Sequence, residues 1–164
     1  MRINLDRGIN YILYAVLKAF LVLPYRQRLH LFGLAVSSFV APIFGYQKRS
    51  EQNLQFIFPD MSANRRRYIA RQVNKNFGKN IIENYSKDDV LKALKTAHIT
   101  GEGLAVTKAS LANKKPLLLV SGHIGNYEVA RLAVKQMGYE SAGLYRPMTN
   151  SYFNAHYVKS LEYM

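Results

Sequence analysis

The sequence predicts an α/β protein in which hydrophobic N-terminal helices are followed by a βαβ unit. Two long apolar runs fall within the first 45 residues. Farther along, an apolar run, a glycine-flanked turn, a helical pattern and a second short apolar run follow one another over residues 117–146. The chain has 164 residues, of which 49% are hydrophobic, and this is enough for one domain with its own core.

The sequence divides into two parts: residues 1–45, predicted to be hydrophobic membrane-anchor helices, and residues 46–164. The apolar runs Ile9–Leu23 and Leu29–Phe44 are each shorter than the ~20 residues that a perpendicular membrane span requires. Two buried helices of a soluble bundle are the alternative, and periodicity does not decide between them. We expect the first helix to span the membrane or to lie in its surface.

Proline, glycine and serine mark the expected helix ends. Pro24 is predicted to end the first helix, and Pro42 with Gly45 the second. The segment Asn53–Asp60 is predicted to be an apolar turn. Ser62 is predicted to cap the amphipathic helix that follows, and a shorter helix is expected over residues 88–99.

A net charge of +13 predicts an anionic partner: nucleic acid, an anionic lipid surface or an acidic protein. The excess is concentrated in residues 61–115, which carry 12 basic and 4 acidic side chains. The hydrophobic first third favours a membrane over nucleic acid, and no nucleic-acid partner is expected. The following basic side chains are candidates for docking lipid headgroups or an acidic carrier protein: Arg65, Arg66, Arg67 and Lys75. A solvated helix face is the alternative.

The absence of cysteine excludes a disulfide scaffold, a thiol nucleophile and any cysteine-ligated metal. Three of the four histidines, His30, His98 and His156, occur in unrelated contexts and offer no set of metal ligands. No metal site and no cofactor are therefore predicted.

The segment expected to carry the chemistry begins with Leu117–Val120, which is predicted to be a buried, parallel strand. The turn Ser121–Glu128 follows it. Residues 129–137 have a helical pattern that Gly138 closes, and Tyr139–Arg146 is predicted to be a second strand. This order defines the βαβ unit.

His123 falls in the turn, at the end of a strand where α/β folds place their ligands. Glu128 lies five residues later, so the two side chains can meet only if the chain bends near Gly125. A carboxylate beside an imidazole orients it and leaves its other nitrogen available as a general base. Capping of the helix by these two residues is the alternative interpretation.

The segment Gly122–Glu128 resembles the GHxGNxE form of the His-x-x-x-x-Asp/Glu motif in lysophospholipid acyltransferases. More narrowly, it is similar to the late acyltransferases of lipid A biosynthesis, the lauroyl and myristoyl transferases. The resemblance extends in order across nearly the whole chain through these segments: the apolar run ending at Leu23-Pro24, Asn53-Leu54 with Phe58-Pro59, Ile99–Leu104, and Tyr145-Arg146-Pro147 with Asn150.

The resemblance implies transfer of an acyl group from acyl carrier protein to a hydroxyl of a lipid A precursor. It implies that His123 is the general base and Glu128 its orienting carboxylate. Arg146 would organise the acceptor or the site, and Gly125 and Asn126 would shape the turn. It also implies an inner-membrane location, with the catalytic part facing the cytoplasm.

The chain departs from the family pattern after the Tyr145-Arg146-Pro147 segment, because the family's later segments are absent. The resemblance therefore implies that residues 46–164 are the N-terminal part of an incomplete α/β acyltransferase domain that carries the His-x-x-x-x-Glu motif. A catalytically incomplete fragment that acts only as a membrane-bound protein is the alternative to an active enzyme.

Overall fold

The computed structural model describes residues 2–148 and 150–163, with the side chains of residues 2–7, 9, 10 and 163 excepted. In this part of the chain all regular elements are helices: α1 Arg2–Leu21, α2 Tyr25–Ala35, a π-helical turn Val36–Val40, α3 Ala41–Ile43, α4 Tyr46–Ile57, α5 Ala63–Asn84, α6 Lys87–Leu94, α7 Gly103–Ala112, α8 Glu128–Gln136 and α9 Ser151–Tyr163. They form two compact units. Unit 1 comprises Met1–Ser86 and Met148–Tyr163, and unit 2 comprises Lys87–Pro147.

The predicted α/β class is wrong, because the described residues contain no strand and hence no βαβ unit. The segments Leu117–Val120 and Tyr139–Arg146 are irregular, and Leu118 and Val120 are 89% and 90% exposed. Two short segments provide at most a two-stranded sheet, which is marginally stable in water. A parallel sheet additionally needs cover on both faces, and Leu118 and Val120 have almost none.

Two local predictions in unit 1 also need correction. The predicted turn Asn53–Asp60 is mostly helical, because α4 continues to Ile57. Pro42 does not end the second helix. It lies within the first turn of α3, where a missing N–H is tolerated, and the helix ends at Gly45, whose φ is +75°.

Other local predictions are confirmed. Ser62 caps α5, and its hydroxyl accepts a hydrogen bond from the Arg65 backbone N–H at 3.4 Å. Gly138 follows α8 with a φ of +90°, the left-handed conformation that glycine adopts at no steric cost. The first helix ends at Leu21, and Pro24 is the residue before α2.

The core of unit 1 joins α1, α2, the π-helical turn and α5 through the buried side chains of Leu17, Phe32, Val36 and Ile82. The rings of Phe20 and Phe32 meet edge to face with centroids 5.0 Å apart. This contact connects the C-terminal part of the predicted anchor helix to the rest of the unit.

Helices α2 and α5 approach each other closely at two glycines. A Cβ atom at Gly33 would lie 2.7 Å from the backbone oxygen of Lys75, and one at Gly78 would lie 2.8 Å from the Cβ of Val36. Real Cβ atoms do not approach other atoms this closely. The crossing therefore depends on the absence of side chains at both positions.

Arg28 of α2 is a buried charged residue near the end of α1 and the end of α5. Its guanidinium donates to the Ser86 hydroxyl at 2.8 Å and to the backbone oxygens of Leu21 and Leu23 at 3.0 and 2.9 Å. These bonds satisfy carbonyl groups at the end of α1 that lack a helical partner. Arg28 thus fixes the end of α1 against the end of α5.

Tyr85 is the expected source of a pH effect on the stability of unit 1. Its hydroxyl is buried without a hydrogen-bond partner in the described residues. Burial, with a smaller contribution from Tyr14, raises the pKa of Tyr85 to about 12 from the ordinary value of 10.0. Between these pH values the unfolded chain loses the phenolic proton while the folded chain keeps it. The free energy of unfolding should therefore fall as pH rises from about 10 to about 12.

We expect Tyr85→Phe to remove this part of the alkaline loss and to leave unit 1 at least as stable at neutral pH, because an unpaired buried hydroxyl costs about 1–3 kcal/mol. Urea unfolding at a series of pH values measures both effects, with Tyr68→Phe on the exposed side of α5 as the control. A clear loss of stability at pH 7 in Tyr85→Phe would contradict the assignment.

Unit 2 is held by fewer buried side chains. Helix α6 packs against α8, and Val90, Leu94 and Leu132 are buried. Leu132 is 1% exposed and lies one turn after Glu128 on α8. The helix that begins at the predicted catalytic turn is therefore anchored through its apolar side.

Considered singly, none of the helices in the described residues has both the length and the apolar composition needed to cross a membrane. The segments Tyr25–Ile43 and Tyr46–Ile57 together have the length and apolar composition of a membrane span, and the chain bends by 85° between them. The anchor assignment of residues 1–45 stays a prediction.

Candidate active site

The glycine turn before α8 has a conformation that its sequence explains. The Ile124 backbone N–H donates to the Gly122 oxygen at 2.9 Å, which closes a tight turn around His123. Gly125 then has a φ of +61°, where a side chain would be strained. The bend that was expected at Gly125 is therefore present and separates His123 from the helix.

Asn126 starts α8. Its side-chain oxygen accepts a hydrogen bond from the Glu128 backbone N–H at 3.1 Å, and its backbone oxygen accepts one from Val129 at the same distance. Asparagine is suited to this position because its side-chain oxygen can accept a hydrogen bond from the backbone N–H two residues later, as a backbone carbonyl does in a turn. Gly125 and Asn126 thus define the direction in which α8 leaves the turn.

The His123 imidazole is exposed and packs on Tyr127, with ring centroids 4.4 Å apart and planes inclined by 53°. Tyr127 is half-buried and precedes α8. An aromatic neighbour limits the positions of the imidazole without using either of its nitrogens. The ring is therefore open to a substrate from solvent.

Glu128 is the first residue of α8, and its carboxylate pairs with Arg131 one turn later. The Arg131 Nε donates to Glu128 Oε2 at 2.9 Å, and the Glu128 side chain is only 12% exposed. No hydrogen bond joins His123 to Glu128 in the described part of the chain. The structure places the two residues at opposite ends of one turn, and Arg131 holds the carboxylate.

Sequence analysis did not identify Arg131 or Tyr127 as candidate site residues. An i, i+3 spacing of opposite charges on a helix is a signal for the Glu128–Arg131 pair. Arg146, which the resemblance selected, lies in an exposed irregular segment. Within the described residues its side chain makes no hydrogen bond or ion pair with His123 or Glu128.

The four candidate docking cations do not form one uniform patch. Arg65 and Arg67 are exposed, and the guanidinium of Arg65 lies 5.5 Å from the ring centroid of Tyr68. Arg66 is half-buried and donates to the backbone oxygen of Met61. Lys75 is half-buried where its stem meets Gly33 at the crossing of α2 and α5. Arg65 and Arg67 remain the two most accessible of these cations.

Unit 2 also contains a groove of about 1030 Å³. Apolar side chains of Leu111, Leu117, Leu119 and Val134 line it together with Lys114, Lys115 and Tyr139. His123 is not among its lining residues. Among the described residues, no group of three His, Asp or Glu side chains could hold a metal ion.

These features define a helical protein with an exposed imidazole and a helix-initiating carboxylate on one glycine turn, the residue types that general-base chemistry uses. A comparison with protein-family models matches residues 2–161 to the bacterial lipid A biosynthesis acyltransferases. The chain therefore belongs to the lipid A biosynthesis acyltransferase family, as its motifs suggested, and a lipid A precursor is the substrate class of that family. Searches of curated proteins and of solved structures gave no match.

Proposed function

We propose that this chain transfers a fatty acyl group from acyl carrier protein to a hydroxyl of a lipid A precursor at the cytoplasmic face of the inner membrane. The observation that carries the proposal is the family match over residues 2–161. The net charge of +13 supports it as well, because the carrier protein and the glycolipid acceptor are both anionic.

In the proposed mechanism His123 is the general base. An alcohol is a weak nucleophile at pH 7, and removal of its proton in the transition state is worth about 10²–10⁴ in rate. As the imidazole takes the proton, the acceptor oxygen attacks the thioester carbonyl and forms the new ester bond. The carbon–sulfur bond breaks, and the thiolate of the carrier leaves and accepts the proton from the imidazolium. The exposure of the His123 ring supports this role.

Glu128 is proposed to orient the imidazole and to stabilise the imidazolium. A carboxylate has two acceptor oxygens, so Oε1 can accept from the imidazole while Arg131 holds Oε2. The His123 side chain would then turn from its position on Tyr127 when substrate binds. Arg131 acts as a positioning residue, because it restricts the carboxylate without touching the reacting atoms.

Arg131→Gln is expected to lower kcat about tenfold, the effect of roughly 1.4 kcal/mol, which is typical for neighbours in one ion-pair network. The KM for the lipid acceptor should be unchanged, and Arg131→Lys should restore part of the rate. Lys135→Gln removes an exposed charge from the same helix and is the matched control. Equal rates in Arg131→Gln and Lys135→Gln would show that Arg131 has no positioning role.

The apolar groove of unit 2 supports a substrate with a long hydrocarbon chain. Lys114 and Lys115 at the same groove favour an anionic group next to that chain. Arg146 is proposed to reach the acceptor, and Arg65 and Arg67 are proposed to contact the carrier protein or lipid headgroups.

A non-catalytic membrane-bound protein is the second candidate function. The observation that favours it is the absence of a His123–Glu128 hydrogen bond in the described residues. The full chain, incubated in membranes with acyl-loaded carrier protein and a lipid A precursor bearing a free hydroxyl, separates the two. Formation of a new ester above the level of a protein-free control supports the acyltransferase. A chain that binds the membrane and forms no ester supports the second candidate.

A further inference from the structure

We propose that the bend between α3 and α4 is the surface by which unit 1 inserts into an anionic lipid interface. The inference rests on the membrane location in the proposed function and deepens it by naming the inserting surface. Hereafter the bend surface means the exposed apolar side chains on both sides of Gly45 and the two cations that follow: Phe39, Val40, Ile43, Phe44 and Tyr46, with Lys48 and Arg49.

The exposure of large apolar side chains at this bend is the first argument. Phe39, Ile43 and Phe44 are 66%, 76% and 70% exposed, and Val40 and Tyr46 are exposed as well. Five such side chains within eight residues form a contiguous apolar stretch, unlike the single apolar residues that are normal on a protein surface. Because they lie away from the core of unit 1, burying them requires another phase or another molecule.

The π-helical turn explains how these side chains reach the surface. The Ala41 backbone N–H donates to the Val36 oxygen, an i+5 to i bond that brings Ala41 under Val36. Both residues are buried, at 1% and 7% exposure. With the buried side of the helix defined in this way, Phe39 and Ile43 lie one turn apart on the exposed side. The added residue of the π turn thus turns the apolar row outward.

The charges beside the bend favour a lipid surface over another protein core. Lys48 and Arg49 are exposed on the first turn of α4, and neither makes an ion pair with a described residue. Cations adjacent to an apolar surface are typical of helices that lie at an anionic interface, where the apolar side enters the acyl region and the cations contact headgroups. Glu51, the nearest acidic residue on α4, is half-buried and accepts a hydrogen bond from Gln47 at 2.6 Å.

The geometry of the helix pair fits shallow insertion. The segments Tyr25–Ile43 and Tyr46–Ile57 are bent by 85°, and together they have the length and composition of a broken span or a re-entrant segment. The apolar side chains are concentrated at the apex, which can enter the interface first. Gly45 makes the apex possible, since its φ of +75° is strained for other residues.

Binding of the full chain to phosphatidylcholine–phosphatidylglycerol vesicles tests the role of the apolar side chains of the bend surface. Ile43→Gln combined with Phe44→Gln should weaken partitioning by about a hundredfold, since each buried side chain contributes on the order of tenfold. Phe56→Gln combined with Ile57→Gln is the matched control, because both residues are exposed in the same unit, at the far end of α4. Far-UV circular dichroism and urea unfolding should be unchanged in both variants.

A second binding experiment tests the two cations of the bend surface, Lys48 and Arg49. Lys48→Gln combined with Arg49→Gln should weaken binding to the mixed vesicles by roughly fivefold for each cation, and added salt should reduce the difference. Binding to vesicles of phosphatidylcholine alone should not change. Loss of binding to both kinds of vesicle by the same factor would overturn the headgroup contact.

The absence of cysteine allows a direct measure of insertion. An environment-sensitive fluorophore on Ile43→Cys should shift to shorter wavelengths on vesicle binding, whereas the same probe on Asn76→Cys, an exposed position of α5, should not. Equal shifts at both positions, or none at Ile43→Cys while the chain is bound, would overturn the inference.

The outcomes distinguish this inference from the proposed function. A wild-type chain that does not bind anionic vesicles contradicts the membrane location itself. A wild-type chain that binds, with Ile43→Gln/Phe44→Gln binding equally well, leaves the proposed function intact and overturns the bend surface. If that double variant instead converts a dimer into a monomer and binds vesicles normally, the occupant of the bend is a second copy of the chain and the inference is wrong.

Discussion

His123→Ala is expected to lower the rate of acyl transfer by about 10²–10⁴, which is the usual contribution of a positioned general base. The imidazole is exposed, its ring contact is with Tyr127, and it is not among the buried residues of unit 2, so its removal should leave the core of that unit intact. Expression, membrane binding and helix content should therefore be unchanged. The measurement is the initial rate of ester formation from acyl-loaded carrier protein, with acceptor and donor varied in turn.

The matched control is His98→Ala, which removes another exposed histidine of unit 2 that lies outside the glycine turn. His98→Ala should retain the wild-type rate. If His123→Ala retained full activity, the general base would have to be another group. If both variants lost activity equally, the loss would reflect damage to unit 2 and would not identify a base.

Gly78→Ala is expected to destabilise unit 1, because the added methyl group would lie inside the crossing of α2 and α5. A Cβ at this position would lie 2.8 Å from the Val36 Cβ and 3.0 Å from the Gly33 Cα, so α2 and α5 must separate to admit it. Overpacking of this kind typically costs about 1–3 kcal/mol. The effect is opposed by the roughly 1 kcal/mol by which alanine favours a helix over glycine.

Gly8→Ala separates the cost of overpacking from the gain in helix propensity. Gly8 lies within α1, and a Cβ there would meet no atom within 4 Å, so only the helix propensity changes. That control should be neutral or more stable than wild type by up to about 1 kcal/mol. Urea unfolding followed by circular dichroism gives both values, and their difference measures the cost of the crossing. Equal stability of Gly78→Ala and Gly8→Ala would contradict the close approach of α2 and α5.

Much of the candidate site followed from local sequence. The glycine turn, the bend at Gly125 and the glycine after α8 depend on backbone preferences of a few consecutive residues, and the structure has them at the expected positions. Helix α8 itself begins at Glu128, one residue before the predicted start. The family was also indicated by motifs in their order along the chain, and the match over residues 2–161 confirmed it. The roles of His123, Glu128 and Arg146 stay predictions.

The predicted sheet was wrong for a physical reason. Leu117–Val120 has the composition of a buried strand, but a strand forms only where a neighbouring segment satisfies its backbone groups and other elements cover its faces. The four residues Leu117–Val120 carry no information on whether such a neighbouring segment and such covering elements exist. In the described chain this segment is exposed, and it contributes to a groove with Tyr139 and Val134.

Sequence alone was sufficient for the charge, the Ser62 cap, the glycine turn and the family, because these depend on composition or on contacts between residues close along the chain. The pairing of Glu128 with Arg131 in place of His123, the glycine crossing of α2 and α5, and the outward direction of the side chains at Gly45 became known only from the folded arrangement. These features depend on side-chain rotamers and on packing between segments that are distant in sequence. Several such arrangements are compatible with the same local sequence, and none of them produces a periodic pattern of apolar residues.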